Sequence, residues 1–152
     1  MGLFNKKVLL EAPASGVLKP ITAVPDDLFS TKAMGDGYAI EPTSDEVFAP
    51  VKGTVTSVFP TQHAIGFKTK KEEVLLHIGL DTVSLNGEGF HLTVKEGDTV
   101  TPETKIGTVD FDLIKQKGLA SDVIVIITKT NKKLTLDVDG NVTAGQTVAH
   151  LE

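Results

Sequence analysis

Short apolar runs separated by Gly, Pro and Asp recur along the chain, which is typical of a protein built from β-strands. Turn-forming pairs such as Asn86-Gly87 and Asp139-Gly140 lie between runs. The pattern predicts an all-β sandwich or barrel, with short helical turns at residues 26–29 and 112–117, the second ended by Gly118. The apolar runs cover residues 8–10, 47–51, 55–59, 64–67, 74–80, 123–127 and 134–138.

A weak internal repeat adds to this picture. Residues 97–104 (GDTVTPET) echo residues 140–147 (GNVTAGQT), and both resemble the turn–strand–turn units of lipoyl-like half-barrels. A duplicated β unit is therefore predicted, although the period is too poorly kept for a solenoid.

Composition narrows the possible functions. The 152 residues suit one domain, 1–152, with a short N-terminal tail, 1–7, before the first strand. A formal charge of −5 argues against nucleic-acid binding, and the absence of cysteine excludes disulfides, thiolate metal sites and cysteine nucleophiles. No apolar run is long enough to cross a bilayer, and the start is too polar for a signal peptide. We expect a cytoplasmic protein without direct membrane insertion.

The stretch from Thr61 to Phe90 carries the candidate chemistry. If residues 73–81 form a strand, Val74, Leu76, Ile78 and Leu80 share an apolar face, because side chains alternate along a strand. His77 then lies on the other face with Leu75, Gly79 and Asp81, and Gly79 leaves room for something to approach.

A second histidine precedes this strand. A three-residue hairpin loop centred on Lys70 would place His63 opposite His77 and Ile65 opposite Leu75, whereas a four-residue loop would shift the match by one residue. With the first register, two imidazoles lie together among Ile65, Leu75 and Phe67. The hydroxyl of Thr61 is then in position to fix the tautomer of His63.

Paired imidazoles suit phosphoryl transfer. A neutral imidazole is a nucleophile near pH 7, and a second one can donate a hydrogen bond to the phosphoryl oxygens. Apolar side chains around the pair, including Phe59, would strengthen that bond and offer a docking surface. Asp81 either accepts a hydrogen bond at this site or begins the next turn.

Three segments closely resemble one family: residues 61–66 (TQHAIG), residues 76–83 (LHIGLDTV) and residues 85–90 (LNGEGF). They resemble the glucose-type IIA family of the phosphoenolpyruvate-dependent sugar phosphotransferase system, and the likeness extends over about residues 8–150. The resemblance implies an antiparallel β-sandwich of the duplicated hybrid type. It implies that His77 carries the phosphoryl group, that His63 supports it, and that Thr61 and Asp81 lie nearby. The implied partners are HPr as donor and a cysteine of an EIIB domain as acceptor, without a cofactor.

Two alternatives remain open. A lysostaphin-like zinc peptidase needs three protein ligands, and the chain offers His63 and His77 without a His-x-His pair; a weaker version has a partner lend a carboxylate to zinc bound at these two histidines. A lipoyl or biotinyl carrier needs a lysine at a hairpin tip, for which Lys32-Ala33-Met34 is a loose match.

Overall fold

The computed structural model describes residues 7–152, so all but the last residue of the predicted tail lies outside it. This part of the chain contains fourteen strands and two short α-helices, α1 (Asp27–Ser30) and α2 (Phe111–Gln116). Two 3-10 turns cover Ile21–Ala23 and Thr82–Leu85. The strands are β1 (Val8–Glu11), β2 (Gly16–Pro20), β3 (Asp36–Pro42), β4 (Glu46–Phe48), β5 (Gly53–Val58), β6 (Ala64–Lys68), β7 (Glu73–Ile78), β8 (Phe90–Leu92), β9 (Thr99–Val100), β10 (Lys105–Val109), β11 (Val123–Lys129), β12 (Leu134–Leu136), β13 (Gly140–Val142) and β14 (Thr147–Leu151).

The strands form three antiparallel sheets. Eight strands run in the order β13-β2-β3-β11-β7-β6-β5-β9, and two smaller sheets have the orders β1-β14-β12 and β4-β10-β8. A core that includes Leu10, Tyr38, Phe67, Leu76 and Ile106 lies between them. The predicted antiparallel β-sandwich is confirmed; the large sheet stays open, with β13 and β9 at its edges.

The predicted duplication is visible in backbone hydrogen bonds. The N–H of Glu11 donates to the carbonyl of Pro50 (2.8 Å), and that of Phe48 donates to the carbonyl of Pro13 (2.7 Å). These bonds are equivalent because residues 12–16 (APASG) repeat as residues 49–53 (APVKG). The two segments that echo each other lead from the edge strands β9 and β13 into the two smaller sheets.

Both predicted helical turns are present, each with an aspartate at its N-cap. Asp26 accepts from the N–H of Leu28 (2.9 Å), and Asp110 accepts from that of Leu113 (3.1 Å). Such caps satisfy N–H groups that a helix start leaves unpaired. Among residues 7–152, no helix combines the length and apolar composition that a bilayer-spanning segment requires.

The register predicted for the hairpin of β6 and β7 is wrong by one residue. Ile65 lies opposite Leu76 and Ala64 lies opposite His77, so residues 69–72 form a four-residue loop. The loop is closed by Thr69 and Glu72: the side-chain hydroxyl of Thr69 donates to the carboxylate of Glu72 (2.7 Å) and accepts from its N–H (3.0 Å). This closure favours four residues over three.

The register sends Ile65 and Phe67 to the inner face of the sheet with Leu76 and Val74. Ile65 is 0% exposed and Phe67 1% exposed. Their predicted place on a docking surface beside the histidines is therefore wrong, because the core leaves them no surface to offer to a partner.

Candidate functional site

His77 projects from the outer face of the large sheet, as its alternation with the buried Leu76 and Ile78 predicts. It lies between Ala64 on β6 and Ile124 on β11. A second apolar cluster lies on this face, and the segment before β3 contributes Phe29 to it. The Phe29 ring lies 5.0 Å from the His77 ring, centroid to centroid. The imidazole is thus half-buried at the edge of an apolar layer.

A sharp turn directly after β7 orients the His77 ring. Nδ1 of His77 lies 2.8 Å from the carbonyl oxygen of Gly79, and because a carbonyl only accepts, Nδ1 carries the proton. Gly79 (φ +75°) and Asp81 (φ +59°) both adopt left-handed backbone conformations. The turn brings the carbonyl of Gly79 back toward the ring two residues before it.

The structure corrects the role predicted for Gly79. The strand ends at Ile78, so the alternation does not extend to Gly79 or Asp81. A Cβ on Gly79 would lie 2.5 Å from Cγ2 of Thr82, which shows that the space beside it is filled rather than open to an approaching group. Glycine is needed here for the left-handed backbone and for the close approach of Thr82.

Three hydrogen bonds secure this turn. The N–H of Gly79 donates to the carbonyl of Asp122 (2.7 Å), and the N–H of Leu80 donates to that of Ala120 (2.9 Å). The hydroxyl of Thr82, which is 0% exposed, donates to the carbonyl of Ile78 (2.5 Å). Thr82 was not singled out in the sequence, although it belongs to the segment that carries the family resemblance.

His63 reaches His77 from a bend that precedes β6. Gln62 has φ +61°, and its side chain accepts a hydrogen bond from the N–H of Leu92 (2.9 Å). The bend brings the His63 ring to 5.2 Å from the His77 ring, edge to face. The two imidazoles therefore lie together as predicted, but through this bend and not through direct strand pairing.

Two neighbours hold the buried His63 ring. Nδ1 of His63 lies 2.5 Å from the hydroxyl oxygen of Thr61, the contact that the sequence predicted. The ring of Phe59 lies 5.4 Å away, edge to face. Because Thr61 contacts Nδ1, the other ring nitrogen of His63, Nε2, is available for a further hydrogen bond.

The surroundings favour the neutral form of both histidines. Burial lowers the pKa of His63 below its ordinary value. Burial also lowers the pKa of His77, and the neighbouring His63 charge adds to the effect. The Gly79 carbonyl and the carboxylates of Asp26 and Asp81 oppose this shift without reversing it. The neutral form of His77 is consequently favoured near pH 7.

Exposed apolar side chains contact a histidine or are next in sequence to residues of the site: Phe59 contacts His63, Leu28 precedes Phe29, and Val83 follows Thr82. Phe59 is 42% exposed and Leu28 and Val83 are each 52% exposed, while Leu75 is half-buried. The carboxylates of Asp26 and Asp81 lie close enough to His77 to act on its charge. Sequence reasoning missed Asp26, Leu28 and Val83; the helical turn predicted at residues 26–29 was a signal, but nothing local linked it to a histidine fifty residues away.

The residues that a zinc site or a lipoyl carrier would require are either too few or placed outside the necessary geometry. No group of three or more His, Asp or Glu side chains within residues 7–152 is arranged to hold a metal ion. Lys32 follows α1 in the connection to β3 and does not occupy a two-residue hairpin turn. A lipoyl-type lysine is therefore not presented as the carrier hypothesis requires.

Comparison with known proteins identifies the family. Residues 8–133 match the family model described as phosphoenolpyruvate-dependent sugar phosphotransferase system, EIIA 1. The PTS system glucose-specific EIIA component of Halalkalibacterium halodurans is 45% identical over 125 residues, which is 82% of this chain and 72% of that protein. The protein of the same name from Bacillus anthracis is 39% identical over 145 residues, 95% of this chain and 88% of that protein.

A solved structure supports the same assignment. Glucose permease IIA from Mycoplasma capricolum superposes with a TM-score of 0.90 at 40% sequence identity, and the match covers 100% of both chains. The predicted family resemblance is thus confirmed by sequence and by fold. The chain belongs to the EIIA 1 family of the phosphoenolpyruvate-dependent sugar phosphotransferase system and is a phosphoryl carrier in sugar uptake.

Proposed function

We propose that Nε2 of His77 is the atom that carries the phosphoryl group. The observation that carries this proposal is the contact between Nδ1 of His77 and the Gly79 carbonyl at 2.8 Å. With the proton held on Nδ1, the lone pair lies on Nε2. The lowered pKa of His77 keeps that lone pair unprotonated near pH 7.

The transfer exchanges one bond to phosphorus for another. The P–N bond to the donor histidine breaks while Nε2 of His77 forms a new P–N bond, and the donor imidazole recovers its lone pair. In the onward transfer, a cysteine thiolate of the acceptor forms a P–S bond while the P–N bond to His77 breaks, and His77 leaves as a neutral imidazole. We propose phospho-HPr as donor and an EIIB domain as acceptor, with no cofactor, because positioning and charge stabilisation are the main requirements of phosphoryl transfer.

His63 stabilises the transferred group. With the Thr61 hydroxyl donating to Nδ1 of His63 across 2.5 Å, the ring proton lies on Nε2 and can be donated to a phosphoryl oxygen. The 5.2 Å separation of the two rings leaves the phosphoryl group within reach of both. Burial of His63 strengthens this bond, since a low local dielectric favours charge-assisted hydrogen bonds.

The partners dock on the apolar surface around the histidines. Phe59, Leu28 and Val83 provide contact area, and Leu75 contributes at its edge. Asp26 and Asp81 add negative charge close to His77. The docking face of each partner should accordingly be apolar at its centre with lysine or arginine around it, because opposite charges steer two proteins together.

The names of the relatives support a proposal about the sugar. Two relatives are named glucose-specific EIIA components and the solved structure is a glucose permease IIA. We propose that this chain serves glucose uptake, that residues 1–152 act as one EIIA domain, and that it works in the cytoplasm, where phosphoenolpyruvate is available.

Intact-protein mass spectrometry tests the carrier role. The wild type and His77→Ala are incubated with phosphoenolpyruvate, enzyme I and HPr. We expect the wild type to gain one acid-labile phosphoryl group only when HPr is present, and His77→Ala to gain none. Acceptance by folded His77→Ala, or no acceptance by the wild type with active upstream enzymes, would disprove the assignment.

A further inference from the structure

Exposed lysines collect at the end of the large sheet that lies away from the histidines. Lys68 ends β6, and the loop joining β6 to β7 carries Lys70 and Lys71. Lys52 immediately precedes β5, in which Thr54 lies opposite Lys68. Four exposed ammonium groups therefore surround this hairpin tip.

A fifth exposed lysine comes from the connection between β11 and β12. Lys133 belongs to this connection, and the side chain of its neighbour Lys132 reaches the hairpin loop, where Nζ lies 3.9 Å from Oε2 of the buried Glu72. Lys133 is thus adjacent to the same tip. We call Lys52, Lys68, Lys70, Lys71 and Lys133 the lysine end.

The lysine end differs from the rest of the surface in its ion pairing. Within residues 7–152, none of its five members forms an ion pair. The nearby Glu73 lies 3.6 Å from Lys129, and Glu72 is engaged by Lys132, so both carboxylates have other partners. Elsewhere, ion pairs with carboxylates are formed by Lys19, Lys32, Lys95, Lys105 and Lys117. Among residues 7–152, Lys115 in α2 shares with the lysine end the absence of an ion pair.

Glu152 lies at the lysine end, where its backbone pairs with that of Lys133, whereas Asp26 and Asp81 lie near His77, beyond the reach of unscreened charge interactions with this end. His77 lies four residues from Glu73 along β7, a distance of about 13 Å at the rise of an antiparallel strand. The Debye length is about 8 Å at physiological ionic strength. A negatively charged surface touching the lysine end therefore senses the five lysines more strongly than Asp26 and Asp81, despite a net charge of −5.

We propose that the lysine end binds the anionic phospholipid headgroups of a membrane. Ammonium groups on flexible stems bind phosphate as point charges without fixed geometry, and clusters of about four to eight basic residues are typical of surfaces attracted to anionic lipids. Nucleic acid is a weaker match, because the chain has no arginine and its exposed Phe59 lies at the histidine end.

Lipid binding at the lysine end would assist sugar uptake. The family delivers phosphoryl groups for transport across a membrane, so attraction to the membrane would raise the local concentration of the carrier. With the lysine end on the headgroups, His77 would lie about 13 Å away along β7, so the lipid contact does not occupy the histidine surface. This inference does not depend on the roles proposed for His63 and His77.

Vesicle co-sedimentation tests the proposal. The wild type is compared on mixed phosphatidylcholine–phosphatidylglycerol vesicles and on pure phosphatidylcholine vesicles, at low and high salt. The test variant is Lys70→Glu/Lys71→Glu. The control, Lys115→Glu/Lys117→Glu at the end of α2, changes the net charge by the same amount.

We expect the wild type to bind the anionic vesicles at low salt only, and the test variant to bind at least about tenfold more weakly, with the control near wild type. Phosphoryl acceptance from HPr in solution should be unchanged in the test variant, which separates this inference from the carrier function. Equal binding to both vesicle types, or an equal loss in the control, would overturn the proposal. Tighter binding to duplex DNA at the same phosphate concentration would overturn the choice of a membrane.

Discussion

The proton on Nδ1 of His77 is held by the carbonyl oxygen of Gly79, 2.8 Å away and only two residues further along the chain. This contact decides which ring nitrogen keeps its lone pair, because a carbonyl oxygen cannot donate a proton in return. The backbone that follows the strand thus sets the chemistry of the side chain within it.

Replacing His63 by glutamine should affect the donation of the phosphoryl group to EIIB much more than its acceptance from HPr. His63→Gln keeps a hydrogen-bond donor beside the phosphoryl group but loses the imidazole that can share a proton. We expect the variant to accept phosphate from HPr and to donate it to EIIB about a hundredfold more slowly or worse. Single-turnover rapid quench measures both half-reactions, with His91→Gln, at an exposed histidine outside the site, as control. Donation by His63→Gln at the full rate would remove the role proposed for this residue.

Thr82 should act as a positioning residue for His77. Thr82→Val keeps the shape but removes the hydroxyl that donates to the carbonyl of Ile78, so the turn that presents the Gly79 carbonyl should loosen. We expect 15N NMR of His77 to show a mixture of ring tautomers and the acceptance rate to fall, whereas Thr82→Ser restores both.

Urea unfolding of the two Thr82 variants provides the control for a purely structural effect. Losing one buried hydrogen-bond partner costs about 1–3 kcal/mol of unfolding free energy. If Thr82→Val is less stable but retains a single His77 tautomer and the wild-type acceptance rate, Thr82 only stabilises the fold.

The pH dependence of acceptance should reflect the lowered pKa of His77. Burial and the neighbouring His63 hold this pKa below the ordinary 6.5. A lowered pKa means that the nucleophilic neutral form persists as the pH falls to 6.5 and is lost only at lower pH. NMR titration of the ring protons measures the midpoint directly, with the exposed His91 in the same spectrum for comparison. A midpoint at or above 6.5 would contradict the proposed environment.

Substitution of Phe59 should affect partner binding and substitution of Ile65 should affect stability, although both residues were predicted to contact a partner. Phe59→Ala removes exposed contact area and should raise the KM for phospho-HPr about tenfold, with kcat unchanged. Ile65→Ala removes a fully buried side chain and should lower the free energy of unfolding by about 2–5 kcal/mol. Its KM should stay at the wild-type value where the variant is folded. Steady-state kinetics and urea unfolding of both variants make the comparison; a raised KM in Ile65→Ala would contradict the burial argument.

Much of the architecture could be predicted from residue patterns. The alternation along residues 74–78 correctly assigned Val74, Leu76 and Ile78 to the core and His77 to the opposite face, because side-chain direction in a strand follows from period two alone. The short helical turns at Asp27–Ser30 and Phe111–Gln116 were also predictable, since each begins at an aspartate cap and the second is ended by Gly118, and both are local signals. The predicted apolar runs do not cover the strands β2, β3, β8, β9, β10, β13 and β14.

The hairpin register depended on information that the pattern lacks. A three-residue loop would place Ala64 and Gly66 on the inner face and a four-residue loop places Ile65 and Phe67 there, and the apolar pattern of β7 is compatible with both. Thr69 and Glu72 decided in favour of four residues through hydrogen bonds within the loop. That single-residue shift moved Ile65 and Phe67 from the predicted docking surface into the core, because one step in register exchanges the two faces of a strand.

The sequence by itself determined that this chain is a β-protein, that His63 and His77 are its candidate reactive groups, and that Thr61 lies near enough to contact His63. Only the tertiary structure decided how the two imidazoles meet. A left-handed Gln62 before β6 and a left-handed Gly79 after β7 bend the chain so that both rings converge. These conformations are maintained by contacts with Leu92, Asp122 and Ala120. Such partners are distant in sequence, so no local pattern can report them.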